Sequence, residues 1–237
     1  MEAVKARYTG KKEEAPGIAT FYFSPEKKIP FKPGQFAFLN FESGGKLYSK
    51  HFTISSPPER KKIEFTTIVS NSGYKQALDG LELGHEAGIG KPMGKFTLDL
   101  RKSDKVAFLA GGIGITPVRS ILESLASSKR PKGLEITVFH SSRKHDSIVF
   151  GKKLEKVAES LGFAQVIHTI TDEDPESWLG EKGFIDRRMV KRHVDDEQNT
   201  TFFISGPPGF CQAMEKMLLE QVAVKEEMLV KETFSGY

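Results

Sequence analysis

Cysteine is nearly absent. Of 237 residues only Cys211 carries a thiol. An internal disulfide is excluded, and so is an iron–sulfur cluster held by this chain alone, since such clusters take about four thiolates. Long apolar runs are missing too. No stretch reaches the roughly 18 apolar residues of a membrane span. The opening MEAVKARYTGKKEE is polar and acid-containing, without the apolar core of a signal peptide. These absences lead to the expectation of a cytoplasmic protein with no membrane partner. The six histidines (His51, His85, His140, His145, His168 and His193) show no HxxH or HxxxH spacing, so no metal site is expected. Charge of one sign is scarce as well: 35 Lys and Arg stand against 31 Asp and Glu, a net +4. The lysines are scattered, largely matched by glutamates, and accompanied by no nucleic-acid motif. A solvated surface is the favoured reading, and a basic face for an acidic partner protein is the second.

What is present is a globular composition, 38% hydrophobic and 28% charged, enough for one large domain or two small ones. The texture changes partway along. GIATFYFSP, GQFAFLNFES, KHFTISSPP and KIEFTTIVSNSG are short, aromatic-rich and bounded by Gly, Pro and Ser, as strands are. HEAGIGKPMGKFTLDL closes the series. Such spacing predicts a small antiparallel barrel or sandwich, interrupted by one short helix at GYKQALDGL, where Ala77, Leu78 and Leu81 share a face. After RKSD, strands such as KVAFLAGG, LEITVFHSS, FAQVIHTIT and TTFFISGPPG alternate with helices such as PVRSILESLASS, SIVFGKKLEKVAESLG and FCQAMEKMLLEQV. That alternation predicts a parallel sheet covered on both faces. The expected division is a β domain over 1–101 and an α/β domain over 102–237.

The chemistry concentrates in loops. In GGIGITPV, Thr116 suits an N-cap and Pro117 the first helical position. Gly111, Gly112 and Gly114 then offer close backbone approach at a helix start, where an anion such as a pyrophosphate binds. The alternative is a plain strand–helix turn. A second loop of the same kind, SGPPGF with Gly206 and Pro207, favours the ligand site, because both loops fall at the carboxyl ends of parallel strands. A third loop, HSSRK, offers Ser142, Arg143 and Lys144 to a ribose or a 2′-phosphate, with an ordinary polar loop as the alternative. The lone Cys211 reads as a packed small hydrophobe.

In order and spacing these motifs resemble the ferredoxin–NADP⁺ reductase family over essentially the whole chain. PGQFAFLNF followed by KHFTISSPP resembles its Arg-x-Tyr-Ser/Thr flavin motif, and GKPMGKFTL its Gly-x-Pro-x-Gly strand. GGIGITP, HSSR, SGPPGF and the terminal ETFSGY resemble its nicotinamide domain. The resemblance implies a two-domain fold: an N-terminal flavin-binding antiparallel β-barrel and a C-terminal Rossmann-like α/β domain for NAD(P)H. It places Lys50 on flavin phosphate, Phe52 against the isoalloxazine, Thr53 near flavin N5, and Gly73, Lys75 and Gln76 near the flavin pyrophosphate. It assigns Gly111, Gly112, Gly114, Thr116, Gly206 and Pro207 to the nicotinamide nucleotide. Glu232 and Phe234 take the terminal acid and the aromatic that covers the flavin, a role Tyr237 could share.

Three departures stand out. Lysine for arginine at position 50 loses the bidentate fork. Phenylalanine for tyrosine at 52 loses a hydroxyl. Ser205 stands where many members carry cysteine.

The function implied is hydride transfer from NAD(P)H to FAD (preferred to FMN), followed by electron delivery to a separate acceptor. Thr53 and Glu232 are the catalytic candidates. The acceptor is a ferredoxin, a flavodoxin, an oxygenase component or a small molecule. Ser142, Arg143 and Lys144 incline the donor toward NADPH over NADH. The rival is a non-catalytic electron-transfer or regulatory subunit of the same fold with weakened cofactor binding. A flavin-free dehydrogenase conflicts with the barrel motifs.

Overall fold

The computed structural model describes residues 3–99, 104–128, 133–173 and 176–234. Twelve strands and five α-helices are resolved among them. The first sheet contains β1 (Val4–Ala15), β2 (Ile18–Pro25), β3 (Phe36–Ser43), β4 (Lys46–Thr53), β5 (Ile63–Ile68) and β6 (Glu86–Ile89). Its spatial order is β4-β3-β6-β1-β2-β5, and all its pairings are antiparallel. A bridge between Ile54 and Phe65 brings the end of β4 onto β5 and closes the sheet into a barrel. Period-two burial drives this. In β3, Ala37, Leu39 and Phe41 are buried while Phe36, Phe38 and Asn40 alternate outward. Phe21, Phe23 and Phe65 are fully buried at the barrel centre, each such ring contributing about 1.5–3 kcal/mol over exposure. Helix α1 (Gly73–Asp79) packs Leu78 against that core.

The second sheet is all parallel. It contains β7 (Lys105–Gly111), β8 (Glu135–Ser142), β9 (Ala164–Ile170), β10 (Glu181–Lys182), β11 (Thr201–Gly206) and β12 (Leu229–Thr233), in the order β10-β9-β8-β7-β11-β12. Helices α2 (Ile115–Ala126), α3 (Gly151–Leu161), α4 (Arg187–His193) and α5 (Pro208–Lys216) cover it. The chain runs outward from β7 to β10, then returns to the other side of β7 as β11. The switch in strand order therefore lies between β7 and β11, where ligands of open parallel sheets bind.

The two halves meet through α2, whose residues 115–124 are all buried, although the sequence pattern is that of a one-faced amphipathic helix. One face packs on the sheet. The other meets the barrel, where Ser120 Oγ donates to the Ser56 carbonyl at 2.7 Å. Arg119 ties to Glu64 of β5 at 2.6 Å and to Glu123 at 2.8 Å. Arg60 grips the same two carboxylates at 2.5 and 2.7 Å. Lys153 of α3 joins Glu123 at 2.8 Å.

Several expectations change. The polar N-terminal segment is β1, the longest strand of the barrel, in which Ala6 and Tyr8 face the core. β10, α4 and β12 are additional elements. The helix expected from Ser147 starts only at Gly151. The last long helix leaves α geometry at Met217 and finishes as a π-helical turn through Val222. The expected division between 101 and 102 lies outside the described residues. No helix among them is long and apolar enough to cross a membrane.

Candidate functional site

β4 runs toward the junction of the two halves and ends there at Thr53. Lys50, Phe52 and Thr53 line a cleft with Thr66 and Thr67 of β5 and Lys75 of α1. The opposite wall comes from the other half: Thr116, Glu232 and Phe234. Thr53 Oγ1 donates to Glu232 Oε1 at 3.4 Å. Burial pushes the Glu232 carboxyl up to about 7, against the opposing pull of the Thr53 hydroxyl. Lys75 is pushed down to about 8, first by burial and then by the nearby charge of Lys50. Two cations lining one cleft favour an anion there. Phe52 is 8% exposed and packs at 6.1 Å on Phe65 and 5.5 Å on Tyr74. Tyr74 anchors that wall by donating its hydroxyl to the Leu39 carbonyl at 2.9 Å. Of the three residues expected on α1, Lys75 lines the cleft, whereas Gly73 and Gln76 are exposed and outside its lining.

Both glycine loops stand at the switch point and touch each other. A Cβ on Gly114 would lie 2.1 Å from the Ser205 carbonyl oxygen, and one on Gly111 would lie 2.7 Å from the Phe210 ring. These two glycines are therefore required by loop–loop packing. Gly112 differs. It has φ +52 and a Cβ there would meet nothing within 4 Å, so it is the glycine that borders open space. Ser205 Oγ donates to the Gly114 carbonyl at 2.7 Å and is buried, a tie between the loops. The Phe234 N–H donates to the Gly206 carbonyl at 2.9 Å, which joins the second loop to the cleft. Pro207 precedes α5 and accepts from the Cys211 N–H at 3.0 Å.

Thr116 is not an N-cap. A 3₁₀ turn over Gly112–Gly114 feeds straight into α2, so Thr116 and Pro117 lie inside the first turn. The Thr116 hydroxyl donates back to the Ile113 carbonyl at 3.1 Å. The three-residue turn starts the helix earlier than the threonine–proline signal suggests.

Ser142 ends β8 and Arg143 follows it. Arg143 is exposed, while Ser142 is buried and its Oγ has no hydrogen-bond partner among the described residues. The adjoining end of β9 brings acidic groups that were not expected there. The Asp172 N–H donates to the Arg143 carbonyl at 2.9 Å, and the Glu173 carboxylate accepts from the His145 N–H. Tyr237 lies outside the described residues. Cys211 is 2% exposed, with its thiol held above the usual range by burial. No three His, Cys, Asp or Glu among the described residues converge as metal ligands. Thr66 and Thr67 carried no signal in the sequence because they sit in an ordinary strand that only barrel closure brings to the cleft.

Comparison with known proteins agrees with this geometry. Residues 108–216 match the model of the oxidoreductase NAD-binding domain. The glycine betaine monooxygenase reductase subunit of Pseudomonas aeruginosa is 30% identical over 213 residues, covering 87% of this chain and 57% of that protein. The chain thus spans a little over half the length of the curated relatives it matches. Among solved structures, the flavohemoglobin of Malassezia yamatoensis with bound FAD and heme aligns with a TM-score of 0.86 at 23% identity, over 99% of this chain and 61% of that one. A ferredoxin NADP⁺ reductase from Neisseria gonorrhoeae with bound FAD and NADP aligns with a TM-score of 0.81 at 18% identity, over 98% of this chain and 99% of that one. Barrel, parallel sheet, switch-point loops and these matches lead to one conclusion: residues 108–216 form an oxidoreductase NAD-binding domain, and the chain has the two-domain fold of the ferredoxin–NADP⁺ reductases.

Proposed function

We propose that this protein is a flavin-dependent NAD(P)H oxidoreductase that delivers electrons to a separate acceptor. The observation that carries the reading is the junction cleft, in which Thr53 of the barrel and Glu232 of the α/β half meet beside the switch-point loops. The residues present fit a flavin nucleotide. Lys50 and Lys75, which both line the cleft, are cations suited to its phosphates. Phe52 supplies a flat wall already fixed by Phe65 and Tyr74. They also fit a dinucleotide: Gly112 opens its backbone to free space, and the orphaned Ser142 hydroxyl offers a hydrogen bond to a ribose.

The flavin, when bound, would accept hydride from the nicotinamide and release electrons to the acceptor. The chain's own residues do the rest. Thr53 donates a hydrogen bond at the reacting edge. Glu232, held near neutrality in pKa, holds or gives a proton beside it. Phe234 covers the cleft and excludes water until the nicotinamide takes its place. The nucleotide-ribose end carries Arg143 and Lys144 alongside Asp172 and Glu173, so neither NADPH nor NADH is excluded by charge.

For the acceptor, an acidic redox protein suits the outer β3–β4 face. There Phe38 and Met93 are 38% and 41% exposed, with Lys91 and Lys95 on either side of Met93. A steep fall in acceptor reduction with added salt supports this, and salt-independent transfer to a small acceptor opposes it.

The deciding experiment is a visible spectrum of the purified protein reconstituted with FAD, followed by anaerobic addition of NADPH and then NADH. Bleaching of a two-banded flavin spectrum supports the reading, and the faster donor identifies the nucleotide. A protein that stays colourless and oxidises neither nucleotide overturns it in favour of a non-catalytic subunit.

A further inference from the structure

His140 lies within β8 and is fully buried. Its Nε2 is 3.1 Å from the Gly112 carbonyl oxygen. A carbonyl oxygen only accepts, so Nε2 carries the proton and Nδ1 a lone pair. Nδ1 finds no hydrogen-bond partner among the described residues. The His168 ring stands against it at 5.3 Å and 62°. Burial and the neighbouring His168 push the His140 pKa down to about 3, so the ring stays neutral at physiological pH. An imidazole with one nitrogen unsatisfied is a poor way to fill a core position that phenylalanine would fill. Among the described residues the ring's one hydrogen bond is with the glycine loop.

That contact controls a flexible point. Gly112 has φ +52 and no side chain to restrict its peptide planes. Its carbonyl accepts from His140 and from the Ile115 N–H. No peptide in the described residues is cis. A carbonyl held toward His140 therefore turns the following Ile113 N–H away from it. On that loop a Cβ at Gly112 would meet nothing within 4 Å.

We propose that His140 is a positioning residue for the dinucleotide: its hydrogen bond to the Gly112 carbonyl holds the glycine-loop amides in the orientation that receives an anionic pyrophosphate. The proposal rests on the NAD(P)H reading above and adds to it a residue that touches no ligand itself.

The test pairs His140→Phe, which keeps a buried ring and deletes the donor, with His140→Gln, which keeps an amide N–H. NADPH and NADH affinities are measured by calorimetry on FAD-loaded protein, alongside KM, kcat, flavin retention and Tm. Wild-type imidazole nitrogens are observed by ¹⁵N NMR without nucleotide. His140→Phe is expected to weaken nucleotide binding about tenfold, the worth of one lost hydrogen bond, with KM rising in step and kcat within about threefold. Flavin retention stays unchanged and His140→Gln recovers most of the loss. NMR shows the neutral Nε2–H tautomer from about pH 5 to about pH 9.

Unchanged affinity in His140→Phe, a loss that glutamine does not restore, or an Nδ1–H tautomer overturns the proposal alone. If His140→Phe does not fold, the glutamine variant and the wild-type NMR decide. Wild-type protein that binds neither nucleotide overturns the oxidoreductase reading and this proposal together, even with the tautomer as expected.

Discussion

Thr53 Oγ1 and Glu232 Oε1 stand 3.4 Å apart across 179 residues of sequence, one at the end of β4 and the other in β12. The hydroxyl is the polar contact that moderates the burial of Glu232. Without it the carboxyl would sit still higher in pKa and would lose the hydroxyl that donates to it. The two side chains come from separately built halves, so their contact reports the mutual placement of barrel and sheet.

Thr53→Ala should leave FAD bound and slow flavin reduction by NAD(P)H by about tenfold to a hundredfold, the range for a group that hydrogen-bonds the reacting edge. Anaerobic stopped-flow at the flavin band measures it. Reduction at the wild-type rate would remove Thr53 from the chemistry.

Glu232 also makes stability depend on pH. Its folded pKa of about 7 lies above the ordinary value of 4.5. Between those values the folded state binds more protons than the unfolded one, so stability falls as pH rises through that window. The stabilisation is full below about 4.5 and lost above about 7. Glu232→Gln should remove the slope, gaining on the order of 2 kcal/mol relative to wild type between pH 5 and pH 8. Urea unfolding at the two pH values checks this, and parallel slopes in both proteins would contradict it.

The interdomain ion network gives a third expectation. Arg119 and Glu64 are 2% and 3% exposed in their side chains, and burial of Glu123 is offset by Arg119 and Lys153, which hold its carboxyl below the ordinary range. Arg119→Met leaves buried carboxylates short of a partner and should cost about 3–5 kcal/mol. Arg119→Met combined with Glu64→Gln should recover a substantial part of that loss. Denaturant midpoints of the two variants test it, and equal losses would show that packing of the arginine stem, not charge, is what matters.

The loop glycines separate by role. Gly114→Ala drives a Cβ to within 2.1 Å of the Ser205 carbonyl and should disrupt the fold, seen as loss of a cooperative thermal transition. Gly112→Ala meets no atom but places a side chain at φ +52, a strain of about 1–2 kcal/mol. It should fold, keep FAD and bind nicotinamide nucleotide more weakly. A Gly112→Ala protein with wild-type nucleotide affinity would show that the loop does not carry the dinucleotide.

Much of the architecture was legible because local signals agreed with it. Alternation in Phe36–Ser43 reads as a half-buried strand, and the unbroken apolar run before Gly111 reads as a central parallel strand. Other elements were not legible for physical reasons. β1 shows only partial alternation among polar and charged residues, since one face of a barrel strand meets water. β10 has two residues and too little pattern to read. α4 is seven residues and rich in basic groups, with Met189 and Val190 as its buried anchors. The threonine–proline signal places the helix start too late because a 3₁₀ turn, visible only in backbone geometry, begins the helical run at Gly112, five residues before Pro117.

The sequence by itself determined the architecture: a strand-rich half, an alternating half and glycine loops at strand ends. Periodicity and turn chemistry are local, so they survive in a string of letters. Only the tertiary structure decided which residues meet. It set Thr53 against Glu232 and brought Lys50 and Lys75 to one cleft. It separated Gly112, open to a ligand, from Gly111 and Gly114, closed by packing. It also showed that His140 reaches the glycine loop. Those outcomes depend on distances between segments far apart in the chain, and barrel closure, strand order and the buried α2 interface set those distances.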